Sequence, residues 1–148
     1  MSVFFSAMEF KPFENKLVAV LSKNIETGRA MNALAHMALG LSGSVKNREE
    51  LRLQDYTDAD RERHPQISDI PFIILKGSSG QIRNLRKSAL ENGLHFTDFT
   101  NTMIGETYVQ QHQNTQKTRE EDLEYFGICL FGNWGKISEL TKKFSLWR

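Results

Sequence analysis

Lys16–Ser42 reads KLVAVLSKNIETGRAMNALAHMALGLS, and the order of its parts decides the fold. Leu17, Val18, Ala19, Val20 and Leu21 form an unbroken apolar run bounded by Lys16 and Ser22. Such a run suits a central strand covered on both faces rather than one exposed to water on one side. A turn follows through Asn24–Gly28, and then an Ala-rich stretch with a helical period. Ala30, Leu34, Met37, Ala38 and Leu41 recur at i, i+4, i+7, i+8 and i+11, which predicts a buried stripe. Arg29, Asn32 and His36 gather on another face. Gly40 and Gly43 supply the expected stop.

Outward from this unit, the same alternation recurs. Pro71–Lys76 (PFIILK) is a second apolar run, with proline where a strand begins. Ser78 or Ser79 can cap the following helix, whose stripe is Ile82, Leu85 and Ala89 and whose end is Gly93-Leu94. His95–Thr100 and Glu124–Gly132 complete a set of four strands, and Gly135–Phe144 is a last helix with Leu146-Trp147 docked beside it. Strands alternating with helices of this length predict parallel βαβ units. The last two strands lack room for a long crossover helix and should be antiparallel. The expected fold is α/β, a three-layer α/β/α arrangement with a mixed four-stranded sheet, in one domain spanning residues 1–148.

Three stretches stand apart. Met1–Asn15, with Phe4, Phe5, Phe10 and Phe13, reads as an arm laid over the core. Val45–Ser68 reads as a polar, hairpin-like excursion, and Thr107–Thr118 as a Gln-rich polar connection. Thr118 and Glu121 match a capping box for a short helix.

Bulk properties narrow the function classes. The chain has 148 residues, 39% hydrophobic and 25% charged, as in ordinary globular proteins. Nineteen basic against eighteen acidic residues leave a net charge of +1, so no overall field draws it to nucleic acid or membrane. No apolar run is long enough to span a bilayer, and no signal-peptide pattern stands at the N-terminus. With the single Cys129, these features give a cytoplasmic expectation.

Chemistry is expected beyond the carboxyl ends of the strands, at Ser22–Gly28, Lys76–Gly80, Thr100–Thr107 and Gly132–Gly135. The free N–H groups of a helix opening at Thr27 and Gly28 favour an anion. No phosphate-loop or dinucleotide glycine pattern is present, and no cofactor is implied. Asp55, Asp58, Asp60 and His64 miss the spacing of a calcium loop, and no metal is expected. Cys129 sits in an apolar strand and reads as an inert core thiol. Lys76, Arg83, Arg86 and Lys87 make a candidate basic strip.

Gly28-Arg29-Ala30-Met31-Asn32-Ala33-Leu34-Ala35-His36, after an apolar strand and a turn, resembles peptidyl-tRNA hydrolase II, whose members read G-K-x-A-A-Q-x-x-H. The element order continues the likeness over most of the chain. The whole sequence, with NIETGRAMNALAHMALGL and a Leu-Trp near its end, looks like an uncharacterised bacterial family grouped with that fold. The resemblance implies an α/β enzyme releasing peptides from peptidyl-tRNA, and a homodimer. The family's lysine falls on Arg29 and its glutamine on Ala33. Its strand-ending aspartate falls on Asn101, or on Asp98 after a gap. His36 alone is retained. The guanidinium of Arg29 can hold a carboxylate or phosphate but cannot shuttle protons as a perturbed lysine can.

The expected function is therefore a binding module for a small anionic or RNA-derived ligand. Thr27, Gly28, Arg29, Asn32, Asn101 and Thr102 would form its site. The alternative is a hydrolase with altered machinery, with His36 or Asp98 as catalytic base and Arg29 stabilising the oxyanion.

Overall fold

The computed structural model describes residues 8–148. Phe4 and Phe5 of the expected arm lie outside that range.

Strand β1 (Asn15–Ser22) lies at the centre of a five-stranded sheet. Its apolar run is sorted by the strand's period of two. Leu17, Ala19 and Leu21 face one core, and Val18 and Val20 face the other. Helix α1 (Thr27–Ser44) covers the first face, burying Ala30, Ala33, Met37 and Leu41. The stripe is thus turned from the expected one: Ala33 is fully buried, while Leu34 and Ala38 are only half-buried. Two alanines on the inner face let the helix lie close to the sheet. Gly40 and Gly43 do not stop the helix, which runs through both. Gly40 lies beside Thr97, whose Cγ2 would be 3.5 Å from an added Cβ.

The excursion is a separate antiparallel ribbon, β2 (Leu53–Thr57) with β3 (Arg63–Ser68). Asp55 pairs with Arg63 at 2.6 Å and Asp58 with His64 at 2.9 Å. Asp58 Oδ1 also accepts from the N–H groups of Asp60 and Glu62. The acidic cluster therefore builds the ribbon's turn. Among the described residues, no group of three or more His, Cys, Asp or Glu is placed to hold a metal ion.

Strand β4 (Phe72–Gly77) lies parallel to β1, from Leu17 opposite Phe72 to Ser22 opposite Gly77. Helix α2 (Ser79–Glu91) starts with a full capping box: Ser78 Oγ accepts from the Gln81 N–H, and Gln81 Oε1 accepts from the Ser78 N–H. It ends with Gly93 in the left-handed region at φ 62°, where Gly93 N–H donates to Leu90 and Leu94 N–H to Ala89. Strand β5 (His95–Thr100) is the sheet's edge. The expected polar connection is not irregular. Thr107 caps a third helix, α3 (Tyr108–Lys117), by accepting from the Gln110 N–H. Thr118 ends that helix rather than capping a new one, and Glu120–Asp122 is a single 3-10 turn.

Strand β6 (Tyr125–Asn133) inserts between β5 and β1, antiparallel to both. Asn133 caps α4 (Trp134–Thr141), which lies with α2 over Val18 and Val20. The helix ends three residues earlier than its apolar spacing predicts. Ser145–Leu146 then forms β7, antiparallel on β4, and the Trp147 N–H donates to Ile74. The sheet is therefore five-stranded and mixed, in the order β5-β6-β1-β4-β7, and not four-stranded. A two-residue strand carries no period in sequence; it forms because β4 would otherwise expose unpaired backbone at the edge. The layers themselves are as expected, α1 on one face and α2 with α4 on the other.

Arm residue Phe13 stacks on Trp134 at 6.1 Å, with the Arg52 guanidinium 4.4 Å from its ring centre. Phe10 is exposed. No helix among the described residues is long and apolar enough to cross a membrane.

Phe144 is held against β4 at Gly77, where an added Cβ would lie 2.8 Å from the ring's Cε1. Gly77→Ala should cost about 1–3 kcal/mol in urea unfolding, because a rigid ring must move. Gly43→Ala, with open space around it, should be neutral or stabilising.

Two buried groups on β6 make an alkaline limit. Burial pushes the Cys129 thiol up to about 12, and burial with the hydrogen bond to Glu120 does the same for the Tyr125 hydroxyl. Both stay neutral in the fold, whereas the unfolded chain ionises them near 9.0 and 10.0. Stability should be full below pH 9 and fall as pH rises toward 12. Melting temperatures measured from pH 8 to 11.5 test this, and Tyr125→Phe should flatten part of the slope.

Candidate functional site

The side chains of β5 alternate across the sheet, and this sorts the expected site residues. Thr97 and Phe99 face α1: the Thr97 hydroxyl donates to the Met37 carbonyl at 2.8 Å, and Phe99 joins the α1 core. Phe96 packs with the α2 core, and Asp98 shares its face. Asp98 Oδ2 accepts from Arg86 Nε at 2.9 Å, and Arg86 also lies 5.6 Å from the Phe96 ring centre. Burial works against the charge on Arg86, but the Asp98 carboxylate outweighs it, leaving the guanidinium above its ordinary value. The Asp98 carboxylate is thus committed to Arg86, and no hydrogen bond or ion pair joins it to Arg29 or His36 among the described residues.

An open cleft of about 870 Å³ lies between α1, the end of β5 and α3. Of the expected residues, Gly28, Arg29, Asn32, His36 and Asp98 line it, Asp98 with its carboxylate engaged by Arg86, and Thr27, Asn101 and Thr102 do not. Asn101 is tied to the start of β6 through both backbone and side chain, its Oδ1 accepting from Glu124 N–H at 3.1 Å. Thr102 joins a hydroxyl chain, 2.8 Å from Thr100 Oγ1 and 2.9 Å from Thr115 Oγ1. Both hold the β5–α3 connection in place.

The α1 wall of the cleft is polar at its start. Glu26 precedes the helix and makes no side-chain cap, so the first N–H groups have no such partner. Arg29 makes no ion pair among the described residues. His36 leans on Phe99, ring centres 5.9 Å apart. Met37, Phe99, Met103 and Ile104 supply apolar lining, and Gln111, His112 and Thr115 supply the α3 wall.

His112 and Gln111 were not legible as site residues, because the segment carrying them reads as a polar connection. The signal was present nonetheless. Thr107 is a good cap, and Tyr108, Gln111, His112 and Thr115 share one helical face.

Two of the four residues of the candidate basic strip, Arg83 and Arg86, are paired with carboxylates. Arg83 Nε pairs with Glu120 at 3.1 Å and its Nη2 donates to the Leu123 carbonyl. Tyr125 OH donates to the same Glu120 carboxylate at 2.7 Å. That hydroxyl, with Arg83 behind it, holds the Glu120 carboxyl below its ordinary value. Cys129 is fully buried.

Fold and cleft define an α/β protein with a ligand-sized cleft at one edge of a mixed five-stranded sheet. The chain belongs to the DUF2000 family, proteins of unknown function, whose model matches residues 15–148. A solved protein of unknown function from Agrobacterium tumefaciens strain C58 shares the fold. It aligns with 93% of this chain and 100% of its own at a TM-score of 0.79 and 16% identity. No curated protein matches the sequence.

The Asp98–Arg86 pair reads as structural, with side chains 16% and 29% exposed. Asp98→Ala should cost about 1–3 kcal/mol by leaving a half-buried guanidinium unpaired. Removing both partners should cost less than the sum of the single changes, measured by urea unfolding as a double-mutant cycle.

Proposed function

We propose that the protein is a binding module for an anionic ligand, either a small anion or an RNA-derived group, held in the cleft between α1 and α3. The observation that carries this reading is Arg29, on the cleft wall with no carboxylate partner among the described residues. A guanidinium can grip a carboxylate or phosphate through two parallel hydrogen bonds. The uncapped start of α1 adds N–H groups and a favourable dipole at the same end. Asn32 and His36, further along the same helix, would orient what Arg29 binds.

The likeness of the first motif to peptidyl-tRNA hydrolase II supports a ligand site at this helix, with the family's lysine replaced by Arg29. Ala33, at the family's glutamine position, is buried in the core and cannot reach a ligand. A hydrolase with altered machinery is a second reading, favoured by one observation: His36 and His112 line the same cleft from two different helices. One imidazole would activate water and Arg29 would stabilise the oxyanion. A homodimer, implied by the same likeness, belongs to this proposal.

Calorimetric titration with phosphate, small carboxylates and tRNA tests the binding reading. Arg29→Ala should weaken anion binding by about tenfold or more, as expected for losing one charged hydrogen-bonding pair. Peptidyl-tRNA should show no turnover. Hydrolysis that disappears in His36→Ala would overturn the binding reading in favour of the hydrolase.

A further inference from the structure

The cleft is divided in its chemistry along its length. Arg29 and His36 are seven residues apart on α1, roughly 10 Å along the axis. The charged end has one cationic side chain, Arg29, with Glu26 lining the same cleft. Further along α1 the His36 ring leans on Phe99, and Met103 and His112 also line the cleft. Flat rings and a thioether favour a planar π-system over a flexible polar chain.

We propose that the cleft takes a small ligand consisting of one planar aromatic ring system that bears a single anionic group. This rests on the anion-binding reading of the cleft and narrows it to a chemical class. The anionic group meets Arg29 at the start of α1, and the ring lies over the Phe99–Met103 floor between His36 and His112. A span of roughly 10 Å suits a ring and a short linker to the charge. The charge count argues against a nucleic-acid strand, whose affinity comes largely from several Lys and Arg side chains neutralising its phosphates. Here Arg29 is accompanied by a carboxylate, and Arg83 and Arg86 are paired on the far side of the sheet. A nucleoside monophosphate and an aromatic carboxylate both satisfy the chemistry.

Matched pairs of ligands separate these contributions in calorimetric titrations of the full chain: phenyl phosphate with methyl phosphate, AMP with ribose 5-phosphate, and indole-3-acetate with acetate. The aromatic member should bind about tenfold tighter or more, the contribution of one stacked ring. The pair with the larger ratio identifies the source. In His112→Ala, an exposed position on α3, the ratio should fall toward one. In Arg29→Ala both members of a pair should weaken together. Equal binding within the pairs would overturn this inference and leave the anion site standing. If none of the six binds, the anion-binding reading fails and this inference with it. A single-stranded oligoribonucleotide that competes with phenyl phosphate, binds far more tightly than AMP and does so with steep salt dependence would also overturn it.

Discussion

Burial of five consecutive apolar side chains on β1, on both faces of one strand, is the constraint on which the structure depends. Leu17, Ala19 and Leu21 need a helical layer on one side, and Val18 and Val20 need another on the opposite side. Neither layer can be omitted without exposing roughly half of the run to water. The strand must also be paired along both edges, because its backbone groups are buried with its side chains. Parallel β4 satisfies one edge and antiparallel β6 the other. The three-layer arrangement and the mixed sheet both follow from this one element.

The position of the cleft follows from how α1 is fixed to that sheet. Ala30 and Ala33 bring the helix close to the strands, and Met37 reaches over Gly127, where an added Cβ would lie 2.6 Å from its Cε. The Thr97 hydroxyl then ties the helix to β5 through the Met37 carbonyl. His36 is the residue before that anchor. Its ring is set against Phe99 by the same contact that fixes the helix, so the histidine is placed by core packing. Arg29, near the start of the helix, is free of such contacts and projects from a turn that has no side-chain cap.

Much of this was legible from residues alone, and the parts that were not share physical causes. Leu17–Leu21 and Pro71–Lys76 are short unbroken apolar runs, and the helix closed by Gly93-Leu94 has a clear stripe and terminal signals, so their type and order can be read. The rotation of α1 was not legible: alanine is small enough to serve on a buried or an exposed face, so Ala33 and Ala38 could not be sorted by hydrophobicity, and Leu34 is half-buried beside them. β7 escaped because two residues have no periodicity, and its existence depends on an edge of β4 far away in sequence. α3 escaped because it buries no side chain, and an apolar stripe is the signal that reveals a helix. In the candidate site, Arg29, Asn32 and His36 were readable from helical spacing. The side of the sheet on which Asp98 emerges depends on strand phase, and Asn101 depends on a partner in β6.

The two walls of the cleft are therefore held by different forces. α1 is anchored by a continuous apolar core, and distorting it would expose that core. α3 has no buried residue; Thr107 caps it from within, and the Thr115–Thr102 hydroxyl pair ties it to the end of β5. Hydrogen bonds that exchange readily with water contribute far less net stability than buried apolar area. A ligand bridging the walls would gain its orientation from α1 and would add to α3 the apolar contact that helix lacks. The Arg29-to-His36 spacing therefore lies on the helix anchored by the core, and His112 and Gln111 lie on the helix that buries no side chain.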